Sequence, residues 1–285
     1  AVYDEGYTTH LIAQEAAQLI ASHDKSKPLF LYVPFNAPHT PLQAPQEAIK
    51  RYSRIENQQR RIYAAMVHCL DEAVGTIVNA LRESNFPKQQ TLICFCSDNG
   101  GIARLGSNGN LRAGKGTLYE GGIRVPALMV WPQQLVPGSV VSEPLHIVDM
   151  YPTLMRLAGA DIQDPTRLDG LDAWDTLARG QPTPHDTFLF NLSPFHGAIR
   201  MGRWKLIHNG HITANAVKAA SPETWELFDI QNDPSEQHDV SQQHQDVVAR
   251  LQEQLAIFTA ESLPPNIPPN QPPAGFNVPK IWGEF

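Results

Sequence analysis

The sequence predicts an α/β fold: a mixed or parallel sheet flanked by helices, then a small antiparallel sheet with a helix packed on it. Three observations predict it. Uninterrupted apolar runs at Leu29–Val33 and Leu92–Cys96 read as strands buried on both faces. Stretches of helical periodicity lie before and between them, in the strand–helix–strand order of a parallel sheet. Beyond Pro182-Thr183-Pro184 the apolar runs become short and closely spaced, as in antiparallel hairpins.

Taken in order, Ile12, Ala16, Leu19 and Ile20 recur at helical spacing and predict a helix over residues 8–22. Lys27-Pro28 ends it and opens the first apolar run. That run empties into Asn36–Pro45, a loop stiffened by Pro38, Pro41 and Pro45. Its titratable group is His39, just past a predicted strand end. From about Asn57 to Ser84, the stripe Ile62, Ala65, Met66, Cys69, Ala73, Ile77 and Leu81 predicts a long amphipathic helix. His68 and Asp71 on it read as solvated or locally paired.

The second apolar run ends in Ser97-Asp98-Asn99-Gly100-Gly101. Open α/β sheets bind ligands just past the carboxyl ends of their strands. Asp98 and Asn99 offer the side-chain oxygens that calcium or magnesium prefers, and Gly100 and Gly101 let the backbone turn sharply. A Gly/Asn-rich loop then presents Gly114-Lys115-Gly116. A lysine between glycines, downstream of such a pair, suggests a site for a tetrahedral anion. Cys94 and Cys96 share one strand face and read as core.

Ala127–Trp131 predicts another strand, His146–Gly159 a helix punctuated by Pro152 and Gly159, and Asp172–Ala178 a further helix. The composition change divides the chain into a large domain, 1–182, and a small one, 183–285. In the latter Phe188–Phe190, Ala198–Met201, Trp204–Ile207 and Trp225–Asp229 read as an antiparallel sheet turning at Gly202-Arg203. Val247, Val248, Leu251, Leu255 and Phe258 give a closing helix. The proline-crowded end, Pro264–Phe285, excludes helix and central strand.

Composition narrows the function. The 285 residues, 42% hydrophobic and 18% charged, suit a globular protein. No apolar run approaches the roughly 20 residues that span a bilayer. A net charge of −7 argues against a nucleic-acid surface. Three cysteines make no disulfide framework.

The stretch Ser97–Gly101 followed by Leu111–Pro132, LRAGKGTLYEGGIRVPALMVWP, resembles the second half of a sulfatase active site. So do Gly197–Ile207, Glu226–Ile230, Asp233-Pro234-Ser235-Glu236 and the Trp282-Gly283 ending, which are most similar to arylsulfatase B-like enzymes. The resemblance implies an alkaline-phosphatase-like fold. It implies calcium on Asp98 and Asn99, and Lys115 on the substrate sulfate. It implies that His39, in Ala37-Pro38-His39-Thr40-Pro41, contacts the sulfate or protonates the leaving oxygen, a task suited to an imidazole titrating near neutrality. It gives His146 and Asp149 a structural role. The implied substrate is a sulfated carbohydrate or an aryl sulfate ester, with no nucleic acid or membrane partner.

Sulfatases use a formylglycine made from Cys or Ser in Cys/Ser-x-Pro-x-Arg. No such motif occurs here, nor does the family's Asp-Asp pair of further metal ligands. Together with the missing initiator Met, this leads to the expectation of the C-terminal portion of a sulfatase, inactive alone and holding an incomplete calcium site. A sheet lacking partners would leave an edge open to self-association. Two other readings stand beside this one: a non-catalytic sulfate- or carbohydrate-binding remnant, and a phosphatase or phosphodiesterase of the same superfamily. Asn99 weighs against the last, which often carries Asp-His there. Compartment stays open, since sulfatases are often exported, periplasmic or lysosomal. Asn191-Leu192-Ser193 is a weak glycosylation sequon.

Overall fold

A computed structural model describes residues 5–164, 168–190, 195–211 and 222–261. The sequon and the proline-crowded end lie outside the described residues. The chain divides into two units, one within residues 1–85 and one within 86–262.

The first unit is helical. Helix α1 spans Thr8–Ser22 and buries Ala13, Ala16 and Ile20. Helix α2 is the short Gln46–Arg51. Helix α3 spans Gln58–Glu83, the length its apolar stripe predicts. The Asn57 side chain caps it by accepting the Arg60 N–H at 2.9 Å, a bond worth about 1 kcal/mol at a helix start. Ala48, Ala65 and Cys69 form the unit's apolar cluster, with Tyr7, Ile49 and Tyr52 packed against it. Leu29–Val33 forms no strand, and Phe30 and Tyr32 are 78% and 77% exposed. An apolar run becomes a strand only where a second strand offers its backbone groups, and among the described residues none pairs with this one.

The second unit holds two sheets. Strand β1, Ile93–Cys96, pairs antiparallel with β2, Ala127–Val130. The expected parallel ladder is therefore replaced, among the described residues, by a two-stranded antiparallel one. Cys94 and Cys96 do share a face, but it is exposed, so they are not core. Among the described residues no second layer covers that face, and on the opposite one Leu128 and Val130, across from Phe95 and Ile93, are half-exposed as well. Between the strands lies the short α4, Glu120–Ile123.

Helix α5, Met150–Leu157, follows a 3-10 turn at Ile147–Asp149, and α6 spans Trp174–Arg179. Asp149 is buried and accepts the His146 and Leu171 N–H groups at 2.8 and 3.0 Å, with His185 Nε2 2.6 Å away. His146 and Asp149 thus form a capping box, a structural use of both.

The remaining strands are β3 (Phe188–Phe190), β4 (Gly197–Met201), β5 (Trp204–His208) and β6 (Trp225–Asp229), ordered β3-β4-β5-β6 and all antiparallel. Gly202, at φ +56°, makes the turn between β4 and β5. Helix α7, Gln245–Glu261, packs Val247, Leu251 and Leu255 on Ile199, Leu206 and Leu227. The opposite face, with Ala198, Ile207 and Phe228, packs on Leu118 and Tyr119. The segment after Lys115 is therefore part of the small sheet's core. This seating fixes where Lys115 can be.

Candidate active site

The Asp98 turn and the Lys115 loop are held together through their backbones. Gly100 N–H donates to Gly122 O at 2.9 Å, and Lys115 N–H to Gly101 O at 3.2 Å. Asn108 ties the loops further: its Oδ1 accepts Gly101 N–H at 2.8 Å, and its amide donates to Gly101 O and Ala113 O at 2.9 and 2.8 Å. The approach is so close that a Cβ at Gly100 would lie 1.7 Å from Gly121 O, and one at Gly114 2.2 Å from Gly101 O. Only glycine allows it.

Asp98 and Lys115 are exposed, and among the described residues neither charged group has a hydrogen-bond or ion-pair partner. Asn99 donates its amide to Gly100 O at 3.0 Å, which leaves the side-chain oxygen as an acceptor. A carboxylate, an amide oxygen and an ammonium stand on two touching loops, uncommitted to the protein. The donor chemistry fits a hard cation: Asp98 and Asn99 offer oxygens and no competing soft ligand. They supply part of the 6–8 oxygens that calcium takes.

His39 lies in the first unit, in an exposed loop with cis peptide bonds before Pro38 and Pro41. Its Nδ1 lies 2.9 Å from Thr40 O. A carbonyl can only accept, so in the neutral ring Nδ1 carries the hydrogen and Nε2 the lone pair.

Residue-by-residue reading missed the groups that seat the lysine loop. Lys205 on β5 is fully buried and donates to Glu120 Oε1 and Glu236 Oε1, both at 2.8 Å. Glu236 Oε2 accepts the Glu120 N–H at 2.6 Å. Burial pushes the Glu236 carboxyl up, against the opposing pull of Lys205. Arg112 lies 3.9 Å over the Tyr119 ring and donates to Glu236 O and Glu226 Oε1, both at 3.1 Å. Tyr119 OH bonds Glu226 as well; burial first, then that carboxylate, raises the phenol well above its usual range. The available signal was charge in apolar or glycine-rich surroundings: Lys205 within Trp-Lys-Leu-Ile, Glu120 beside Gly121-Gly122.

Next to this seat, Thr117 pairs with His211 in an isolated antiparallel bridge, and Leu118 N–H donates to Gly210 O at 2.7 Å. An open cleft of about 570 Å³ lies there, lined by Tyr119, His211, Trp225, Glu226, Asn209 and Glu223 among others. His208 stacks on Trp225 with centroids 4.2 Å apart and pairs with Glu223. His196 is buried, and burial lowers its pKa.

Comparison with known proteins follows the same residues. The sequence profile of the sulfatase family matches residues 2–160, and that of the N-sulphoglucosamine sulphohydrolase C-terminal region matches 113–261. Arylsulfatase J of Mus musculus is 36% identical over 99% of this chain and 54% of its own length. Arylsulfatase A of Homo sapiens is 32% identical over 79% of this chain and 48% of its own. Among solved structures, Ps i-CgsB superposes with a TM-score of 0.82 at 35% identity, covering 93% of this chain and 57% of that one. Ps i-CgsB has also been solved in complex with k-i-k-neocarrahexaose. The chain thus spans about half the length of the curated relatives it matches.

Proposed function

The chain belongs to the sulfatase family, and from that premise we propose that its residues form part of a sulfuric-ester hydrolase site acting on a sulfated sugar or an aryl sulfate. The observation that carries the reading is the pair of touching loops on which, among the described residues, the charged groups of Asp98 and Lys115 have no protein partner and Asn99 keeps its side-chain oxygen as an acceptor. Asp98 and Asn99 would hold calcium, which when bound neutralises charge on the ester's sulfate oxygens. Lys115 would hold one of those oxygens as a point charge. His39, in its imidazolium form, would give the Nε2 proton to the leaving oxygen and remain as the neutral Nδ1–H ring. The nucleophile, a formylglycine, is not encoded in these residues, and neither is the paired-Asp set of metal ligands.

The cleft beside the Thr117–His211 bridge supports the sugar as substrate. Its carboxylates and the Asn209 amide suit the hydroxyl groups of a sugar. The neutral Asn99 favours a sulfate ester over a more highly charged phosphate ester. The missing nucleophile motif also favours a second reading, a sulfate- or carbohydrate-binding chain without catalysis. The half-exposed Leu128 and Val130, and β1–β2 edges that have no strand partner among the described residues, support association between copies.

One titration tests the reading. Amide NMR shifts of residues 1–285 are followed as 4-nitrophenyl sulfate or 4-nitrophenyl phosphate is added with calcium. We expect the sulfate ester to bind more tightly and to shift Asp98–Gly101 and Gly114–Thr117 without release of nitrophenol. Shifts confined to other segments would refute the site; release of nitrophenol by this chain would refute the account of the nucleophile.

A further inference from the structure

Helices α1 and α3 of the first unit bring together a second set of chemistry-bearing side chains. His10 lies in the first turn of α1. Cys69 and Glu72 lie one turn apart on α3, on the same side of that helix. Their ligand atoms, one each from imidazole, thiol and carboxylate, all lie within 4.8 Å of one another. Cys69 is 1% exposed and belongs to the apolar cluster with Ala48 and Ala65, whereas Glu72 is exposed. The group therefore runs from core to surface, with an open side through which an ion can enter.

Its surroundings hold these ligands in place. His68 Nε2 lies 3.0 Å and Arg51 Nη1 3.9 Å from Glu72 Oε1. The Tyr7 ring meets the His10 ring edge-on, with centroids 5.2 Å apart. Such outer contacts fix carboxylate and imidazole orientation around metals.

We propose that His10, Cys69 and Glu72 bind one divalent cation of the zinc class, which staples the start of α1 to the middle of α3. Thiolate, imidazole and carboxylate are the ligands zinc takes, and three of them leave a fourth position for water. The set does not suit calcium or magnesium, because it offers one carboxylate and a sulfur. Burial, and then the Glu72 carboxylate, push the Cys69 thiol up, so the metal-free chain keeps that proton. Binding exchanges it: Cys69–SH and M²⁺ give Cys69–S–M⁺ and one released H⁺. The site is independent of the sulfate-ester chemistry and needs no activity measurement.

The test is a cobalt(II) titration of residues 1–285 under reducing conditions. The parent carries Cys94→Ser and Cys96→Ser, which removes the two exposed thiols. We expect a sulfur-to-cobalt charge-transfer band and visible tetrahedral ligand-field bands that saturate at one equivalent and vanish on adding zinc. His10→Gln, at a half-buried position, should keep its helical circular dichroism and lose cobalt affinity by about tenfold or more. Cys69→Ser should abolish the charge-transfer band. No band in the parent, or the same titration in His10→Gln, would overturn the proposal and leave Cys69 an ordinary core cysteine.

Discussion

At the scale of single residues, the site depends on which side chains the protein leaves uncommitted. The charged groups of Asp98 and Lys115 have no protein partner among the described residues, whereas other acids of the chain are engaged. Asp233 shows the contrast. Burial alone would raise its carboxyl, but the His238 and Gln237 N–H groups, both at 2.8 Å, hold it below its ordinary value of 3.8. A depressed folded pKa gives stability that is fully present above 3.8 and lost as the pH falls through the folded value. Asp233→Asn should therefore cost about 1–2 kcal/mol at pH 7 in urea unfolding. The gap from wild type should narrow as the pH falls below 3.8 and through the folded value; a gap of constant size would show that the carboxylate charge is not involved. The polar candidates at positions 98, 99 and 115 were legible because turn glycines and a lone lysine mark such places. Which acids were already spent was not, because partners such as His185 for Asp149 lie far away in sequence.

At the scale of elements, periodicity was most informative where one face meets a core. α1 lies on the predicted bounds, and α3 within one residue of them at each end, because their stripes are long and α3 starts at an Asn cap. The run Leu29–Val33 misled because an apolar stretch does not reveal whether a partner strand exists. The same limit explains Cys94 and Cys96. Lys205 went unnoticed for a different reason: within Trp-Lys-Leu-Ile it should sit on a solvent face, yet both faces of β5 are covered. Leu206 meets α7 while Lys205 and Ile207 face the segment of Leu118–Glu120. Removing its charge alone would strand two buried carboxylates. Lys205→Met should cost about 3–5 kcal/mol in urea unfolding. Adding Glu120→Gln and Glu236→Gln should recover part of it. A loss under 1 kcal/mol would mean that the ion cluster does not secure the lysine loop.

At the scale of the whole molecule, the exposed apolar residues of β1–β2 make a prediction about association. Leu128 and Val130 are 53% and 47% exposed beside strand edges that have no partner among the described residues. Light scattering on purified residues 1–285 should show concentration-dependent association, reduced by Leu128→Lys with Val130→Lys. A monomer at all concentrations would remove that surface as an interface. The larger question is whether groups separated along the chain act as one site. Linkage decides it, because a cation and an anion sharing a site must raise each other's affinity equally. The direct measurement is sulfate affinity, by NMR titration of residues 1–285, with and without calcium, in wild type, Asp98→Ala and Lys115→Ala. The account predicts that calcium tightens sulfate binding in wild type, that Asp98→Ala removes the tightening, and that Lys115→Ala weakens sulfate binding with or without calcium. Sulfate binding indifferent to calcium and unchanged in Lys115→Ala would contradict it.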